Sequence, residues 1–134
     1  MSSPKRTALI VADDALAGLV KAFAKAGYDG AYRAVQTTTE AKQYLRGEGQ
    51  FADRTTYHLP CLVILSDGKG WEIVEWLRKE PEFMTTYAMV LGTSRDLASE
   101  TRARDLGVAF ESRPQTPAEY DALAARIGEF WLLG

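Results

Sequence analysis

Carboxylates and a hydroxyl follow two short apolar runs of the chain, and their types suit phosphoryl chemistry. Asp13 and Asp14 come after "TALIVA", and Ser66 and Asp67 come after "CLVIL". Two adjacent carboxylates suit Mg²⁺, which binds a few carboxylates and retains several waters. A third carboxylate, a hydroxyl and a cation would complete a phosphoryl-transfer site, because the metal and the cation stabilise charge on the transferred oxygens. The alternative role for Asp13 and Asp14 is to cap the helix that follows them.

Other chemistries have weaker support in the sequence. His58 is the single histidine and lies in a polar connection, and neither Ser66 nor Cys61 has an evident partner base, so a nucleophilic triad is a poor match. The "GKG" at 68–70 lacks the spacing of a phosphate-binding loop. We therefore expect no catalytic residue, and a nucleotide or flavin site stays open only by analogy with the predicted fold.

Apolar runs of strand length alternate with amphipathic stretches along the whole chain. Strands are expected at 7–12, 31–36, 61–66, 87–92 and 108–112, and helices at 13–27, 37–49, 70–79, 94–107 and 116–133. Thr37 or Thr38 is a suitable helix cap, and Gly27 and Gly107 are suitable terminators. This alternation predicts an α/β, flavodoxin-like, doubly wound (βα)5 sandwich with a five-stranded parallel sheet.

In a sheet of this kind the functional crevice lies at the carboxyl ends of the strands. That rule brings together the residues that follow the first, third, fourth and fifth strands. They are Asp13, Asp14, Ser66, Asp67, Gly92, Thr93, Ser94, Arg113 and Pro114.

Composition indicates one ordinary globular domain over residues 1–134. The chain is 46% hydrophobic and 25% charged, with a formal net charge of −2, which gives no electrostatic case for nucleic acid. No segment approaches the apolar length of a membrane span, so we expect no membrane association and a cytoplasmic protein. Cys61, the single cysteine, cannot form an internal disulfide and is expected to be a small core residue.

Four segments resemble the receiver domains of bacterial two-component response regulators, whose fold is also called CheY-like. They are "ALIVADD" at 8–14, "YLRGEGQFADR" at 44–54 followed by "LPCLVILS", "ESRP" at 111–114, and the terminal "IGEFWLLG". The second and the last are similar in particular to the single-domain regulators paired with phytochrome-type sensor kinases. The resemblance covers nearly the whole chain.

The resemblance implies a phosphorylation pocket with several replaced residues. In active members, an aspartate at the tip of the third strand accepts a phosphoryl group from a histidine kinase, and acidic residues after the first strand hold Mg²⁺. Ser66 stands at the acceptor position, followed by a shortened loop, and Gly92 stands at the position of a Thr or Ser, with Thr93 adjacent. Arg113 replaces a lysine, with the Arg113–Pro114 bond expected to be cis, and Phe110 stands at the position of a switch aromatic residue.

A degenerate receiver is the interpretation that these replacements favour. Its pocket would consist of Asp13, Asp14, Ser66, Asp67, Gly92, Thr93, Phe110 and Arg113. We expect no bound metal, with Asp13 and Asp14 as the ligands if one binds, and Arg113 or Lys69 as the cation that neutralises them. The expected function is phosphorylation-independent protein–protein interaction in two-component-type signalling, without enzymatic activity. The alternatives are a receiver phosphorylated on Asp67 with Mg²⁺ and a small-molecule-binding flavodoxin-like domain.

The expected partners are proteins. A signalling protein is predicted, with a sensor histidine kinase as one candidate, together with a second copy of the chain in a homodimer. The candidate interface residues are Arg95, Arg102, Phe130 and Trp131. The resemblance implies the two arginines, because the face of the fourth helix, fifth strand and fifth helix commonly carries dimer contacts in receivers. The two aromatic residues are candidates because four consecutive large apolar residues cannot all face inward from the last helix. Trp71 and Trp76 lie in the predicted third helix and are expected to be partly buried packing residues. Trp71 is also a candidate to cover the pocket.

Overall fold

A computed structural model describes most of the chain. The described residues are 7–11, 16–27, 32–53, 55–57, 59–83, 86–92 and 96–129. Several residues singled out from the sequence lie outside these ranges, namely Asp13, Asp14, His58, Thr93, Ser94, Arg95, Phe130 and Trp131. The expectations that rest on them stay predictions.

Five parallel strands form one sheet with five helices in alternation, which confirms the predicted flavodoxin-like fold. The elements in chain order are β1 (Ala8–Val11), α1 (Ala17–Lys25), β2 (Tyr32–Val35), α2 (Thr38–Arg46), β3 (Leu62–Ser66), α3 (Gly70–Lys79), β4 (Tyr87–Gly92), α4 (Leu97–Leu106), β5 (Ala109–Ser112) and α5 (Pro117–Ile127). The strand order is β2-β1-β3-β4-β5, and every neighbouring pair is parallel. The carboxyl ends of β1, β3, β4 and β5 therefore lie along the same edge of the sheet.

The central strands are buried on both faces, which explains why they are continuous apolar runs. Successive side chains of a strand point to opposite faces, and β3 divides accordingly. Val63 and Leu65 join the core cluster that includes side chains of α2, α3 and α4. Leu62 and Ile64 join the cluster that includes side chains of α1 and α5. The sheet thus separates two apolar layers.

Thr37 and Gly107 set ends of α2 and α4 as the sequence predicts, whereas the cap of α4, Asp96, was not predicted. The Thr37 hydroxyl accepts a hydrogen bond from the backbone N–H of Glu40 at 3.1 Å, so Thr37 rather than Thr38 is the cap. Asp96 accepts likewise from the N–H of Ser99 at 2.7 Å. Gly107 ends α4 with a φ of 67°, a backbone conformation that residues other than glycine adopt at an energetic cost.

Helix α1 is described from Ala17, with no acidic residue in its first turn and no side-chain cap, and the predicted start on Asp13 lies outside the described residues. Two other local expectations are corrected. The segment Gly49–Phe51 is a short 3-10 helix instead of the end of α2. Cys61 lies just before β3 and is half-buried, because it precedes the point where the strand enters the core. No helix of the described residues is both long and apolar enough to cross a membrane.

Candidate functional site

Backbone pairing beyond the strand ends sets the geometry of the site. Ser66 is the last residue of β3 and only 6% exposed. The next residue, Asp67, donates its N–H to the carbonyl of Leu91 in β4 at 3.0 Å. On the other side of β4, the N–H of Arg113 donates to the carbonyl of Gly92 at 2.8 Å. These bonds hold Asp67 and Arg113 at the same edge of the sheet, on either side of the end of β4.

The side chains of Arg113 and Asp67 meet across that strand end. Nη2 of Arg113 donates to Oδ1 of Asp67 at 3.0 Å, and both side chains are 25% exposed. Neighbouring strands lie about 4.8 Å apart, so the long arginine side chain is suited to spanning the intervening strand. Among the described residues, Nε of Arg113 is buried and has no hydrogen-bond acceptor. The pair neutralises the carboxylate that follows β3.

A connection of three residues joins β3 to α3. Gly68 adopts a φ of +84° in this turn, and a Cβ on Gly70 would lie 2.8 Å from Cβ of Leu65. The two glycines thus allow α3 to begin directly against the end of β3. This tight start brings Trp71, which is 6% exposed, into the core layer beside the site.

The end of β4 is covered by an aromatic ring. A Cβ built on Gly92 would lie 2.4 Å from Cζ of Phe110, so the ring occupies the space that a side chain at position 92 would need. The ring of Phe110 also packs against that of Trp71, with 6.2 Å between centroids. Trp71 therefore contacts Phe110 beside the strand ends.

Arg102, a candidate interface residue, contacts two residues of α3. Its guanidinium lies 4.8 Å from the centroid of the Trp71 ring and forms an ion pair with Glu75. The hydrogen bond from Arg102, together with its charge and that of Lys79, holds the pKa of Glu75 below its ordinary value. A role of Arg102 in contacts between proteins stays a prediction.

The metal ligands expected at this edge, Asp13 and Asp14, stay predictions. Within the part of the chain that the structure describes, no three or more His, Cys, Asp or Glu side chains are grouped to hold a metal ion. The carboxylate of Asp67 accepts its hydrogen bond from an arginine, and the hydroxyl of the buried Ser66 precedes it. Asp13 and Asp14 lie outside the described residues.

The expectation of a cis peptide bond before Pro114 is wrong. All peptide bonds of the described residues are trans, including the bond between Arg113 and Pro114. A trans bond is the lower-energy state even before proline, and the N–H of Arg113 continues the pairing with β4 up to that point.

The pairing of Arg113 with Asp67 was not predicted from the sequence. Arg113 was expected to neutralise Asp13 or Asp14, and that contact stays a prediction because both aspartates lie outside the described ranges. The sequence did contain a signal for this pair. Asp67 and Arg113 carry opposite charges directly after β3 and β5, and these two strands end at the same edge of the sheet.

Comparisons with known proteins identify structures of similar fold. No protein-family model matches the chain, and a search of the curated proteins found no match. Solved structures do match. The response regulator RPA3017 in red light signaling of R. palustris is 27% identical, with a TM-score of 0.79 over 96% of this chain and 94% of that one.

Two further structures show the same fold at lower identity. The phosphorylated cyanobacterial phytochrome response regulator RcpA is 22% identical, with a TM-score of 0.79 over 96% of this chain and 94% of that one. The Mn²⁺-bound form of response regulator Rcp1 is 17% identical, with a TM-score of 0.76 over 97% of this chain and 96% of that one. The chain has the fold of response-regulator receiver domains and is similar to single-domain regulators that include phytochrome-associated ones.

Proposed function

We propose that this receiver domain works in two-component signalling as a phosphorylation-independent interaction module. The observation that carries the proposal is the ion pair between Arg113 and Asp67 at 3.0 Å. Position 66, at the tip of β3, holds a buried serine, and the carboxylate next to it is already bound by a guanidinium. Phosphoryl transfer to Asp67 would require the carboxylate to leave that partner and face the phosphodonor.

The chemistry of the two residues at the end of β3 supports this proposal. A serine hydroxyl lacks the ionised carboxylate that serves as the nucleophile in receiver domains. Asp67 has the right functional group but follows Ser66 by one residue, and successive side chains of an extended chain point to opposite sides. Arginine also differs from lysine in binding carboxylates through a planar fork, which suits a lasting pair with Asp67.

The domain would then act through its surface, with its state set by the concentration of its partner. We propose that it needs no bound Mg²⁺ and that its partner is a signalling protein, with a sensor histidine kinase as the first candidate. Several structures of similar fold are phytochrome response regulators by name. A second copy of the chain is the other proposed partner, through the candidate interface residues named above.

The competing function is a receiver phosphorylated on Asp67 with Mg²⁺. Asp67 is partly exposed and therefore within reach of a phosphodonor. Intact mass after incubation with acetyl phosphate and Mg²⁺ separates the two functions, with Asp67→Ala as the control. We expect no added phosphoryl group on the wild-type protein. Addition that Asp67→Ala abolishes would establish the competing function.

A third sample tests the role of the ion pair in the same experiment. Arg113→Ala frees the Asp67 carboxylate without changing the residue itself. If Arg113 is what prevents phosphorylation, this variant gains a phosphoryl group that the wild-type protein lacks. If neither protein gains one, the position of Asp67 or the absence of a metal site accounts for the inactivity, and the interaction function stands.

The proposed homodimer has its own test. Light scattering measures the oligomeric state of the wild-type protein and of Trp131→Glu. Trp76→Glu is not a suitable control, because Trp76 packs against Phe83 in the fold. Lys79→Glu, an exposed change within α3, is the matched control. A dimer that Trp131→Glu alone dissociates supports the proposal, and an unchanged oligomeric state removes Trp131 from the interface.

A further inference from the structure

The contact between Gly92 and Phe110 has a consequence for the face formed by α4 and β5. A Cβ on Gly92 would lie 2.4 Å from Cζ and 2.7 Å from Cε1 of Phe110. Gly92 is not among the glycines with a positive φ, so its backbone accepts any residue. The three atoms nearest to such a Cβ all belong to the Phe110 ring, so this ring is the nearest obstacle to a side chain at position 92.

The Phe110 ring has a second neighbour. The Trp71 ring lies 6.2 Å away between centroids at an angle of 35°, and Trp71 is part of the core cluster. Phe110 thus contacts both the end of β4 and a buried indole. With a side chain at position 92 the Phe110 ring would have to move, and its contact with the indole would change.

Trp71 in turn provides one of the few contacts that hold α4. The only described residue of α4 that is buried is Ala103, and Leu97 at the start of the helix is 76% exposed. Arg102 stacks on the Trp71 ring at 4.8 Å and pairs with Glu75 of α3. A helix with so little buried apolar surface depends strongly on such contacts.

We propose that Gly92 is a positioning residue that keeps the α4–β5 face in a single conformation. The missing side chain admits Phe110, the ring of Phe110 supports Trp71, and Trp71 holds Arg102 and with it α4. The side-chain contacts in this series are distinct from the ion pair between Asp67 and Arg113. The conformation of this face is therefore set by packing within the fold, which goes beyond the proposed function.

Gly92→Ala tests this coupling, read out by NMR and amide hydrogen exchange. We expect the indole N–H resonance of Trp71 to move, that of Trp76 to stay, and amide exchange in α4 to become at least tenfold faster. The matched control is Gly18→Ala, whose Cβ would lie 2.8 Å from the ring of Tyr120 in the other core layer. That variant also creates a clash with an aromatic ring, and it is expected to leave Trp71 and α4 unchanged.

A second substitution, Phe110→Ala, tests whether the Phe110 ring is what obstructs a side chain at position 92. The effect of Gly92→Ala on the unfolding equilibrium constant is measured once in the wild-type background and once in the Phe110→Ala background. We expect an effect at least tenfold smaller in the Phe110→Ala background, because the space is then free. If Gly92→Ala alone does not fold, the double variant should fold, and exchange in α4 is measured in Phe110→Ala, where it should be faster.

Either of two results would overturn the proposal. One is exchange in α4 that stays unchanged in the folded variants, or that changes as much in Gly18→Ala. The other is an effect of Gly92→Ala that does not depend on the residue at position 110, including a double variant that fails to fold. Neither result bears on whether Asp67 accepts a phosphoryl group.

Discussion

At the residue scale, the site depends on which side chain binds the carboxylate of Asp67. Arg113 is suited to this role because its guanidinium remains charged and its side chain is long enough to cross the end of β4. A partly buried pair of this kind keeps part of its electrostatic attraction, since solvent screens it less than a fully exposed pair. The carboxylate is consequently neutralised by the protein itself.

A double-mutant cycle with Asp67→Asn and Arg113→Gln measures this pair. We expect a coupling energy of about 1 kcal/mol, at the upper end of what exposed pairs show, because both side chains are only a quarter exposed. Urea unfolding of the four proteins gives the value. Additive effects of the two substitutions would mean that the pair does not form in solution.

The pair between Arg102 and Glu75 makes a prediction about pH. The hydrogen bond from Arg102 holds the pKa of Glu75 below its ordinary value, so folding favours the ionised carboxylate. The resulting stabilisation is present above the ordinary pKa of a glutamate and is lost as the pH falls through the lowered value. NMR titration should therefore show a higher pKa for Glu75 in Arg102→Gln.

The same comparison has a control and a clear contradiction. The pKa of Asp53 is also lowered, by hydrogen bonds from Thr56 and Thr55, and it should not respond to Arg102→Gln. An unchanged pKa of Glu75 in that variant would show that Arg102 does not contact Glu75 in solution. The positions of Arg102 and Trp71 would then also need revision.

At the element scale, α3 is joined to the ends of its neighbours through Arg78. Its guanidinium donates to the carbonyls of Leu106 at 2.8 Å, Thr86 at 2.9 Å and Gly107 at 3.3 Å. These carbonyls belong to the end of α4 and to the residue before β4. One side chain thus satisfies backbone acceptors from two other segments.

Arg78→Ala should destabilise the fold because it leaves these partly buried carbonyls without their donor. We expect a loss of about 1–3 kcal/mol in the free energy of unfolding, measured by chemical denaturation. Lys79→Ala is the matched control, since Lys79 is exposed and should change stability by less than about 0.5 kcal/mol. Equal effects of the two substitutions would contradict the role assigned to Arg78.

The order and type of the elements could be predicted from the sequence, and the reasons are local. Apolar runs of four to six residues mark the buried strands, and Thr37 and Gly107 mark helix ends through their own backbone bonds. The 3-10 helix at Gly49–Phe51 was missed because it has no periodic pattern.

The candidate site was harder to predict because its contacts join distant parts of the chain. The rule for parallel sheets placed Asp67, Gly92 and Arg113 at one edge, but it gave no pairing among them. That Arg113 contacts Asp67, 46 residues away, depends on how far each chain continues beyond its strand. The packing of Phe110 on Gly92 depends on a ring orientation that no sequence pattern encodes.

At the scale of the whole molecule, the chain has the response-regulator fold over nearly its whole length. Both core layers are formed, and the structures of similar fold align over nearly all of this chain. The pair between Arg113 and Asp67 lies at the edge where β3 and β5 end. The proposed function therefore depends on that edge and on the surface, whereas the fold depends on the two core layers.

The most direct test of this account is the amide correlation spectrum of the protein in Mg²⁺, recorded before and after addition of acetyl phosphate. The account predicts that the two spectra coincide, because the domain holds one conformation that no phosphoryl group changes. Shifts in β4, α4 and β5 that develop with the phosphodonor and are abolished by Asp67→Ala would contradict it. The protein would then be a phosphorylation-dependent receiver that uses Asp67.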